Sequence, residues 1–597
     1  MLKQEIAQLI QKVLETKGIA DAKVMVDYPA DPKHGDYSTN VALIAAKKLG
    51  KNPMEFAEEL VEDLRFTIKD LGLIEKIEMA KPGFINFWIT QDKLMKEAQK
   101  FEFPNIGKKR TVVVEYSSPN IAKPFTIGHL RSTIIGDAVA NLLEATGWNV
   151  KRDNHVGDWG TQFGKQIYAI KAWGNENELD KADRPVKLLV ALYIKFHDEA
   201  DTNPALEDEA RAWFKRLEDG DDEARRLWQK CIDWSWKEFD AIYQKLGVSF
   251  TENNGRGYGE AYFEDKMATI ITELRKKELL EEGKEGAQIV SFAEGSKLPP
   301  LMILKKDGAS LYATRDLATD KFRLDTYKDT NLLIINEVGA EQSLYFRQLY
   351  KLEEMLGWFT PMQRVHIKHG LYRFKEGKMS TRKGNVIWLE DVLEEAVKRA
   401  MNLQNLTSDL RDTEVITTSN KVGDAARQHI LNFSERLEIA EKVSIGAIKW
   451  NDLKRTPEQD IAFAWEEVLN MQGNSGPYMQ YTYVRTKSIL DKAKANGIAT
   501  FDFTQTITKI SMEERELLRL LARFDEVVAE AATRFSPSTV ATYLFELAQA
   551  FNLFYQKHQI IKADTDVKQF RIGLTAATGN VIKRGLNLLG IQAPEKM

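Results

Sequence analysis

Hydrophobic and polar residues outline one strand-helix-strand unit in the first quarter of the chain. The β-branched run Val112–Val114 predicts a buried strand. The amphipathic run from Leu130 to Gly147 predicts a helix with Gly147 as its C-cap. The mixed apolar and polar segment Asn149–Val156 predicts a second strand. This order indicates a βαβ unit of a parallel sheet, in which ligands bind at the carboxyl ends of the strands.

Three later apolar runs are predicted to complete the same sheet. They are Leu301–Leu304, Leu332–Ile335 and Val365–Ile367. The fold class predicted for this core is therefore α/β, with a Rossmann-type parallel sheet. We interpret an acidic, helix-rich stretch at about 174–290 as an insertion into this core.

Different patterns flank the core on both sides. Residues 1–105 open with helical periodicity and include the strand-like run Phe84–Ile89, which predicts an N-terminal α+β domain. Strand signals nearly vanish after about residue 392. We therefore predict three domains: 1–105, a core over 106–392, and an all-α helical bundle over 393–597.

The insertion contains a helical stripe of apolar residues. Ala210, Trp213, Phe214 and Leu217 follow the i, i+3, i+4, i+7 pattern of one helix face. We interpret this stripe as core packing and Cys231, in the next helix, as a small buried hydrophobic residue.

Composition indicates a globular protein of several domains. The 597 residues exceed the ~250–300 that one core usually holds. Apolar residues make up 43% and charged residues 29%, and no segment approaches the ~20 apolar residues of a membrane span. The single cysteine excludes a disulfide framework and favours a reducing cytoplasm. The net charge of -4 neither indicates nor excludes binding to nucleic acid.

The loop Ser117–His129, between the first strand and its helix, contains the most informative residues. Gly128 and His129 lie where the helix begins, and helix N-termini bind anions. Glycine lets a base or a phosphate approach the backbone, and His129 can donate to phosphoryl oxygens. The alternative is a helix start that required a small residue and a cap.

A basic segment far downstream changes the balance between these alternatives. Lys378–Gly384 places three cations around a Ser-Thr pair, an arrangement that can bind an anion as a clamp. If this segment stood alone, we would interpret it as a solvated run of charges. In this order and at this separation, the two segments resemble the HIGH and KMSKS signatures of class I aminoacyl-tRNA synthetases. The resemblance implies ATP as a substrate, with Mg²⁺ bound through phosphates and water and no structural metal.

Longer segments are similar to those of arginyl-tRNA synthetases and extend along nearly the whole chain. They are Val114–Asn120, Asn154–Gly164, Gly476–Tyr481, His34–Tyr37 and Asp424–Gln428. The spacing leaves no room for a large editing domain, and one cysteine cannot build the zinc site of the cysteine enzyme. The resemblance implies that arginine and Mg-ATP give arginyl-adenylate and pyrophosphate, and that this step requires bound tRNA. The arginyl group then passes to the terminal ribose of tRNA(Arg).

Six residues match the family's positions that bind arginine: Glu115, Ser118, Asn120, Tyr312, Asp316 and Gln342. A guanidinium is a planar fork of donors, and two carboxylates with amide and phenol oxygens suit it better than they suit an ammonium. The alternatives stay open for two of them. Asp316 could cap or charge-pair within a helix, and Tyr312 could be a core aromatic residue.

The resemblance also implies the residues that handle ATP. The ATP-binding residues would be Thr126, Gly128, His129, Lys378, Met379 and Ser380. The catalytic residues would be His129, Lys123, Lys378 and Arg382. Thr126 and Thr381 replace the first histidine and the second lysine of the two signatures, and we expect Lys123, ahead of Arg382, to supply the missing charge. His155 either faces the site or is a satisfied structural histidine.

For tRNA, the resemblance implies that the helical bundle binds the anticodon and that the first domain contacts the outer corner. The candidate residues are Tyr37, Tyr478, Tyr481 and Arg485. Aromatic and basic residues that alternate in this way can stack on unpaired bases, although stripes of Tyr and Phe are also typical of helical cores. We expect a monomer without a membrane partner.

Two other functions remain open from the sequence. A small-molecule nucleotidyltransferase would share the Gly-His site but would leave the helical bundle without a role. A tRNA-binding paralogue without catalysis is suggested by the two threonines in the signatures.

Overall fold

The computed structural model of the chain describes residues 1–19, 21–69, 71–100, 102–306, 308, 310–329, 331–373, 387–402, 433–498 and 510–597. In this part of the chain, no helix is long and apolar enough to cross a membrane. The chain divides into two compact units. The terminal unit comprises Met1–Pro104, Met479–Thr533 and Thr539–Gly585, and the core unit comprises Asn105–Tyr478, Arg534–Ser538 and Leu586–Met597.

The described strands are β1 (Tyr37–Thr39), β2 (Ile74–Ala80), β3 (Phe84–Ile89), β4 (Thr111–Glu115), β5 (Asn149–Asp153), β6 (Glu281–Glu282), β7 (Gln288–Val290), β8 (Leu301–Leu304), β9 (Leu333–Gly339), β10 (Arg364–His369), β11 (Tyr372–Arg373) and β12 (Ile461–Ala462). The described helices up to the middle of the chain are α1 (Leu2–Thr16), α2 (Val41–Leu49), α3 (Pro53–Ile68), α4 (Gln91–Glu97), α5 (Ile127–Ala145), α6 (Gln162–Trp173), α7 (Glu176–Lys181), α8 (Pro185–Thr202), α9 (Ala205–Glu218), α10 (Asp222–Leu246) and α11 (Met267–Lys276). The later ones are α12 (Tyr312–Tyr327), α13 (Ser343–Leu356), α14 (residues 389–402), α15 (Phe433–Leu453), α16 (Trp465–Val468), α17 (Gly476–Ala495), α18 (Met512–Leu521), α19 (Phe524–Arg534), α20 (Pro537–Lys557) and α21 (Thr565–Leu588).

A four-stranded parallel sheet lies in the core unit, in the order β10-β9-β4-β5. In β4, Val113 pairs with Ile334 of β9 on one side and with Lys151 of β5 on the other. Every residue of β4 is buried, because a parallel sheet is covered on both faces. The predicted α/β core with a parallel sheet is therefore confirmed.

One predicted strand belongs elsewhere. Leu301–Leu304 forms β8, but it joins the separate antiparallel sheet β6-β7-β8 and does not complete the parallel sheet. Met302 in this strand is 47% exposed, so one side of the strand faces solvent. A short apolar run predicts burial, but it does not distinguish between parallel and antiparallel partners.

Helix α5 carries the Gly-His pair into the site. It begins at Ile127, earlier than the predicted Leu130, and Gly147 follows its C-cap residue with a φ of 84°. Gly136 lets the helix pack closely against the end of β4, since a Cβ there would lie 2.2 Å from the Cβ of Tyr116.

Helices α7 to α10 lie within residues 174–290, the range of the predicted insertion, and α11, β6 and β7 follow in the same range. Ala210, Leu217 and Cys231 are buried as expected, whereas Trp213 and Phe214 are only half-buried. The apolar stripe of α9 is thus buried at its two ends and partly exposed between them.

The terminal unit combines an antiparallel sheet, β1-β3-β2, with helices from both ends of the chain. The carboxylate of Glu526, in α19, accepts hydrogen bonds from Lys3 N (2.6 Å), Tyr28 Oη (2.7 Å) and Tyr37 Oη (3.2 Å). Asp36 pairs with Arg515 of α18 at 3.0 Å. These contacts join the N-terminal module to the bundle helices, and the domain boundaries at 105 and 392 stay a prediction.

Candidate active site

The loop that follows β4 is held in an unusual backbone conformation. Ser117, Ser118 and Ala122 have φ values of 74°, 44° and 56°, in the left-handed region that residues with a Cβ rarely adopt. The Ser117 amide donates to Ser132 Oγ at 2.9 Å, and the Ser118 amide donates to Asn154 Oδ1 at 3.0 Å. Strain that neighbouring side chains maintain in this way is typical of functional sites.

His129 is positioned by the first turn of α5. The Thr126 amide donates to His129 Nδ1 at 3.0 Å, and Thr126 Oγ1 lies 3.1 Å from the same nitrogen. Nδ1 is therefore an acceptor, and Nε2 carries the proton of the neutral ring. Burial, together with His369 and Lys123, lowers the pKa of His129 to about 4. Near neutral pH, His129 is an uncharged hydrogen-bond donor.

Lys123 is the cation on this loop. Burial lowers the pKa of Lys123, and the carboxylate of Glu260 partly opposes this effect. Lys123 and His129 influence each other electrostatically, so the loop brings a positive charge near a neutral donor. Gly128 is partly exposed, and a Cβ there would meet only Thr126 Oγ1 at 3.3 Å.

The predicted anion clamp lies outside the described residues, and so do Lys378, Met379, Ser380, Thr381 and Arg382. The chain that follows it is anchored on the Gly-His loop. Leu389 N donates to Phe125 O at 2.9 Å, and Ile127 N donates to Ile387 O at 3.3 Å. Ile387 and Leu389, which follow the basic segment in the chain, are therefore held against the residues on either side of Thr126.

All six residues predicted to bind arginine line one cavity of about 220 Å³ in the core unit. The cavity is also lined by residues that the sequence did not single out for arginine: His155, Glu260, Asp320, Arg323 and Tyr345. A larger cavity of about 480 Å³, beside α10, α14 and α15, contains none of the predicted residues. The smaller cavity is therefore the candidate site.

Glu115, the last residue of β4, is already paired within the protein. Arg323 Nη2 lies 2.5 Å from Glu115 Oε2, and Asn336 Nδ2 donates to Glu115 Oε1 at 3.0 Å. Burial would raise the pKa of the Glu115 carboxyl, but the Arg323 guanidinium outweighs it and holds the pKa below its usual value. Arg323 also contacts Asp153 at 2.7 Å and Asp320 at 3.0 Å, so the acidic wall of the cavity is fixed.

Asp316 has a different environment. It lies inside α12, whose N-cap is Leu311, so it does not cap the helix. The Tyr345 hydroxyl donates to Asp316 Oδ2, and His155 Nε2 lies 3.8 Å from Asp316 Oδ1. Burial raises the pKa of the Asp316 carboxyl to about 6, although His155 and Tyr345 oppose it. Among the described residues, no lysine or arginine pairs with this carboxylate.

The remaining predicted residues complete the rim and one wall. Tyr312 is 56% exposed and packs edge-on against Tyr345, with 4.7 Å between ring centroids, so it is not a core aromatic residue. Asn120 and Gln342 line the cavity. Ser118 Oγ is buried and has no hydrogen-bond partner in the described part of the chain. A buried hydroxyl without a partner is costly, and a polar ligand would satisfy it.

The four candidates for tRNA contact differ in exposure. Tyr37 is 1% exposed, so the expectation that its ring contacts tRNA is wrong: the ring belongs to the packing around Glu526. Tyr478, Tyr481 and Arg485 are half-buried. The Arg485 guanidinium lies 4.9 Å from the ring centroid of Tyr481.

Comparison with known families accounts for nearly the whole chain. Residues 90–465 match the catalytic domain of class I tRNA synthetases (R), 479–597 match the DALR anticodon binding domain, and 1–89 match the arginyl tRNA synthetase N terminal domain. Arginine–tRNA ligases of Clostridium perfringens and Clostridium beijerinckii are 40% and 39% identical, each over 100% of both chains.

Solved structures show the same fold. The arginyl-tRNA synthetase of Thermus thermophilus superposes with a TM-score of 0.80 at 23% identity, over 100% of both chains. That of Plasmodium falciparum gives 0.80 at 24% identity, over 100% of this chain and 99% of the other. The predicted resemblance is thus confirmed, and the chain belongs to the arginyl-tRNA synthetase family of class I aminoacyl-tRNA synthetases.

Proposed function

We propose that the 220 Å³ cavity binds arginine with its guanidinium at Asp316, and that ATP binds beside it at His129. The chain is an arginine–tRNA ligase, so the two sites serve one reaction. One observation carries the proposal: Asp316 is a partly buried carboxylate, 26% exposed, that lines the cavity without a lysine or arginine partner in the described part of the chain. A carboxylate that is partly removed from water is stabilised by a paired cation, and the substrate would supply that cation.

The shape of the acidic wall favours a guanidinium over an ammonium. Asp316, Glu260, Tyr312 and Gln342, whose side chains all carry acceptor oxygens, line the cavity. A guanidinium presents five donors in one plane and can satisfy several acceptors at once, whereas an ammonium is a compact point charge. Arginine is therefore the amino acid that leaves the fewest acceptors unsatisfied.

Adenylate formation requires positioning and charge more than proton transfer. The substrate carboxylate attacks the α-phosphate in line, and negative charge increases on the phosphoryl oxygens. His129 would donate from Nε2, and Lys123 would supply a positive charge from the same loop. The basic segment that contains Lys378 and Arg382 would complete the phosphate site.

Magnesium enters this scheme as part of the ATP substrate. The described residues contain no group of three or more His, Cys, Asp or Glu side chains arranged to hold a metal. Mg²⁺ usually binds through substrate phosphates and water with few protein ligands, and it would neutralise triphosphate charge here.

We infer that tRNA(Arg) binds through the C-terminal helices, with Tyr478, Tyr481 and Arg485 as contacts. The match of residues 479–597 to an anticodon binding domain supports this assignment for Tyr481 and Arg485, and Tyr478 directly precedes the matched range. A half-buried arginine against a tyrosine ring is suited to stacking on an unpaired base. Localisation in the cytoplasm and a monomeric state remain predictions.

Arginine-dependent exchange of pyrophosphate into ATP, with and without tRNA, tests the proposal. We expect exchange only with arginine and only when tRNA is present. Exchange that is independent of any amino acid would favour a small-molecule nucleotidyltransferase. Binding of tRNA without exchange under any condition would favour a paralogue without catalysis.

A further inference from the structure

The charges that face the arginine cavity are unequally paired. Glu115 contacts Arg323 at 2.5 Å, and Glu260 contacts Arg315 at 3.2 Å. Each of these carboxylates has a guanidinium of the protein beside it. In the described part of the chain, Asp316 has no guanidinium beside it: the neutral Tyr345 hydroxyl donates to one carboxylate oxygen, and the His155 imidazole lies 3.8 Å from the other. The charge of this wall of the cavity therefore depends on the protonation of His155 and Asp316.

His155 follows β5 and is fixed through one ring nitrogen. Its Nδ1 lies 2.9 Å from the carbonyl oxygen of Tyr258. A carbonyl only accepts, so Nδ1 carries a proton in both charge states of the ring, and Nε2 is the nitrogen that titrates. Nε2 lies 3.8 Å from Asp316 Oδ1, and the His155 side chain is 12% exposed. The titrating atom therefore points into the cavity.

Several titratable groups act on the His155 ring. Burial lowers the pKa of His155, but Glu115, Asp316 and Glu260 together raise it above its usual value, against the opposing charge of Arg323. Asp158, three residues after His155 in the chain, also interacts electrostatically with the ring. Phe263 covers another side, with 5.8 Å between ring centroids. The empty cavity thus favours the imidazolium more than water does.

We propose that His155 is a specificity-determining residue that exchanges its own charge for that of the substrate. In the empty cavity, the Nε2 proton of the imidazolium partly neutralises Asp316. When a guanidinium enters, the Nε2–H bond breaks and the proton leaves to solvent, so the charge of the cavity is unchanged. The free Nε2 lone pair then accepts a hydrogen bond from a guanidinium N–H. This inference rests on the proposal that the cavity binds arginine.

Two consequences follow from this exchange. A cationic side chain can replace the positive charge of the imidazolium beside Asp316. Citrulline has the same shape but is neutral, so it cannot replace that charge. A proton and arginine compete, so arginine binds more weakly as the pH falls through the titration of His155. In the limit, each pH unit costs about tenfold in affinity.

The direct test is a titration of the histidine Cε1 resonances of the full chain by NMR, without ligand, with saturating arginine and with citrulline. The variant His155→Asn assigns the resonance by its loss, and asparagine can still donate to the Tyr258 carbonyl. We expect arginine to lower the pKa of His155 by at least one unit, a tenfold change in proton affinity. Citrulline should leave it unchanged, and the exposed His34 should not respond to either ligand.

The outcomes separate this inference from the proposed site. Resonance shifts on adding arginine without a change in the pKa of His155 would overturn the proton exchange alone. No response of His155 to arginine at all would overturn the cavity as the arginine site. A Michaelis constant for arginine that does not rise as the pH falls toward the pKa of His155 would also contradict the exchange.

Discussion

At the scale of single residues, the site separates two kinds of electrostatic environment. Carboxylates dominate the arginine cavity, and most of them are paired with guanidinium groups of the protein. The His129 loop instead offers a neutral imidazole and one ammonium. A cationic substrate and an anionic one can therefore bind side by side, each against its own complement.

His129→Ala tests the neutral donor. We expect adenylate formation to slow by ~10²–10³-fold, the usual effect of removing one hydrogen-bond donor from a transition state. Arginine binding should change little, because His129 does not line the arginine cavity. The measurement is the exchange rate at saturating arginine and tRNA. An unchanged rate would show that His129 is not catalytic.

Lys123→Ala tests whether this loop compensates for Thr381 in the basic segment. We expect the rate of adenylate formation to fall at least as far as in Lys378→Ala, while the affinity for tRNA, measured by filter binding, stays nearly constant. Adding Thr381→Lys should restore part of the rate. If Lys123→Ala leaves the rate of adenylate formation unchanged and Arg382→Ala strongly lowers it, the compensating cation is Arg382.

At the scale of elements, a buried ion network ties the sheet to the helices around the cavity. Arg323 of α12 joins Glu115 of β4 and Asp153 of β5, and Arg364 of β10 contacts Asp320 of α12 at 2.6 Å. Removing one member of a buried pair is far more costly than removing an exposed pair, because it leaves an uncompensated charge.

Arg323→Met should therefore destabilise the core unit by ~3–5 kcal/mol. The matched control is Arg211→Met, which breaks an exposed pair with Asp208 and should cost less than ~1 kcal/mol. Urea unfolding followed by tryptophan fluorescence compares the two variants. If both variants lower the midpoint of the urea transition equally, the buried network contributes no more to stability than an exposed ion pair does.

Element patterns made part of the fold predictable. The runs at Val112–Val114 and Leu332–Ile335 are apolar on both faces, as buried parallel strands require, and both were placed correctly. Leu301–Leu304 has a similar composition, but its partners are antiparallel neighbours, which no local pattern encodes. Pairing is decided by the rest of the chain.

The arginine cavity was only partly predictable for a similar reason. The resemblance predicts Tyr312 and Asp316 as part of the site. They lie far along the chain from Glu115, so no local periodic pattern links them to it. Glu260 and Tyr345 carry no motif, and only the tertiary fold brings them to the cavity. His155 was ambiguous, since a structural histidine and a functional one look alike until their neighbours are known.

At the scale of the whole molecule, the terminal unit joins the N-terminal module to the bundle helices. Tyr37 belongs to this junction, and Arg485 lies half-buried on α17.

Arg485→Ala should raise the Michaelis constant for tRNA several-fold, since stacking on one base contributes ~1–3 kcal/mol. Tyr37→Phe is the control and should leave that constant unchanged, at a stability cost of about 1 kcal/mol for one hydrogen bond. Aminoacylation kinetics at varied tRNA concentration compare them, and the reverse pattern would contradict both assignments.

The most direct test of the account is Asp316→Asn, compared with Asp325→Asn on the exposed side of the same helix. Losing one charge of a buried pair costs ~2–5 kcal/mol, so the Michaelis constant for arginine should rise by about 30-fold or more. The constant for ATP should stay within about twofold, and Asp325→Asn should change neither, because this carboxylate forms only an exposed pair. If the constant for arginine barely moves in Asp316→Asn, the guanidinium does not bind at Asp316 and the cavity is not the arginine site.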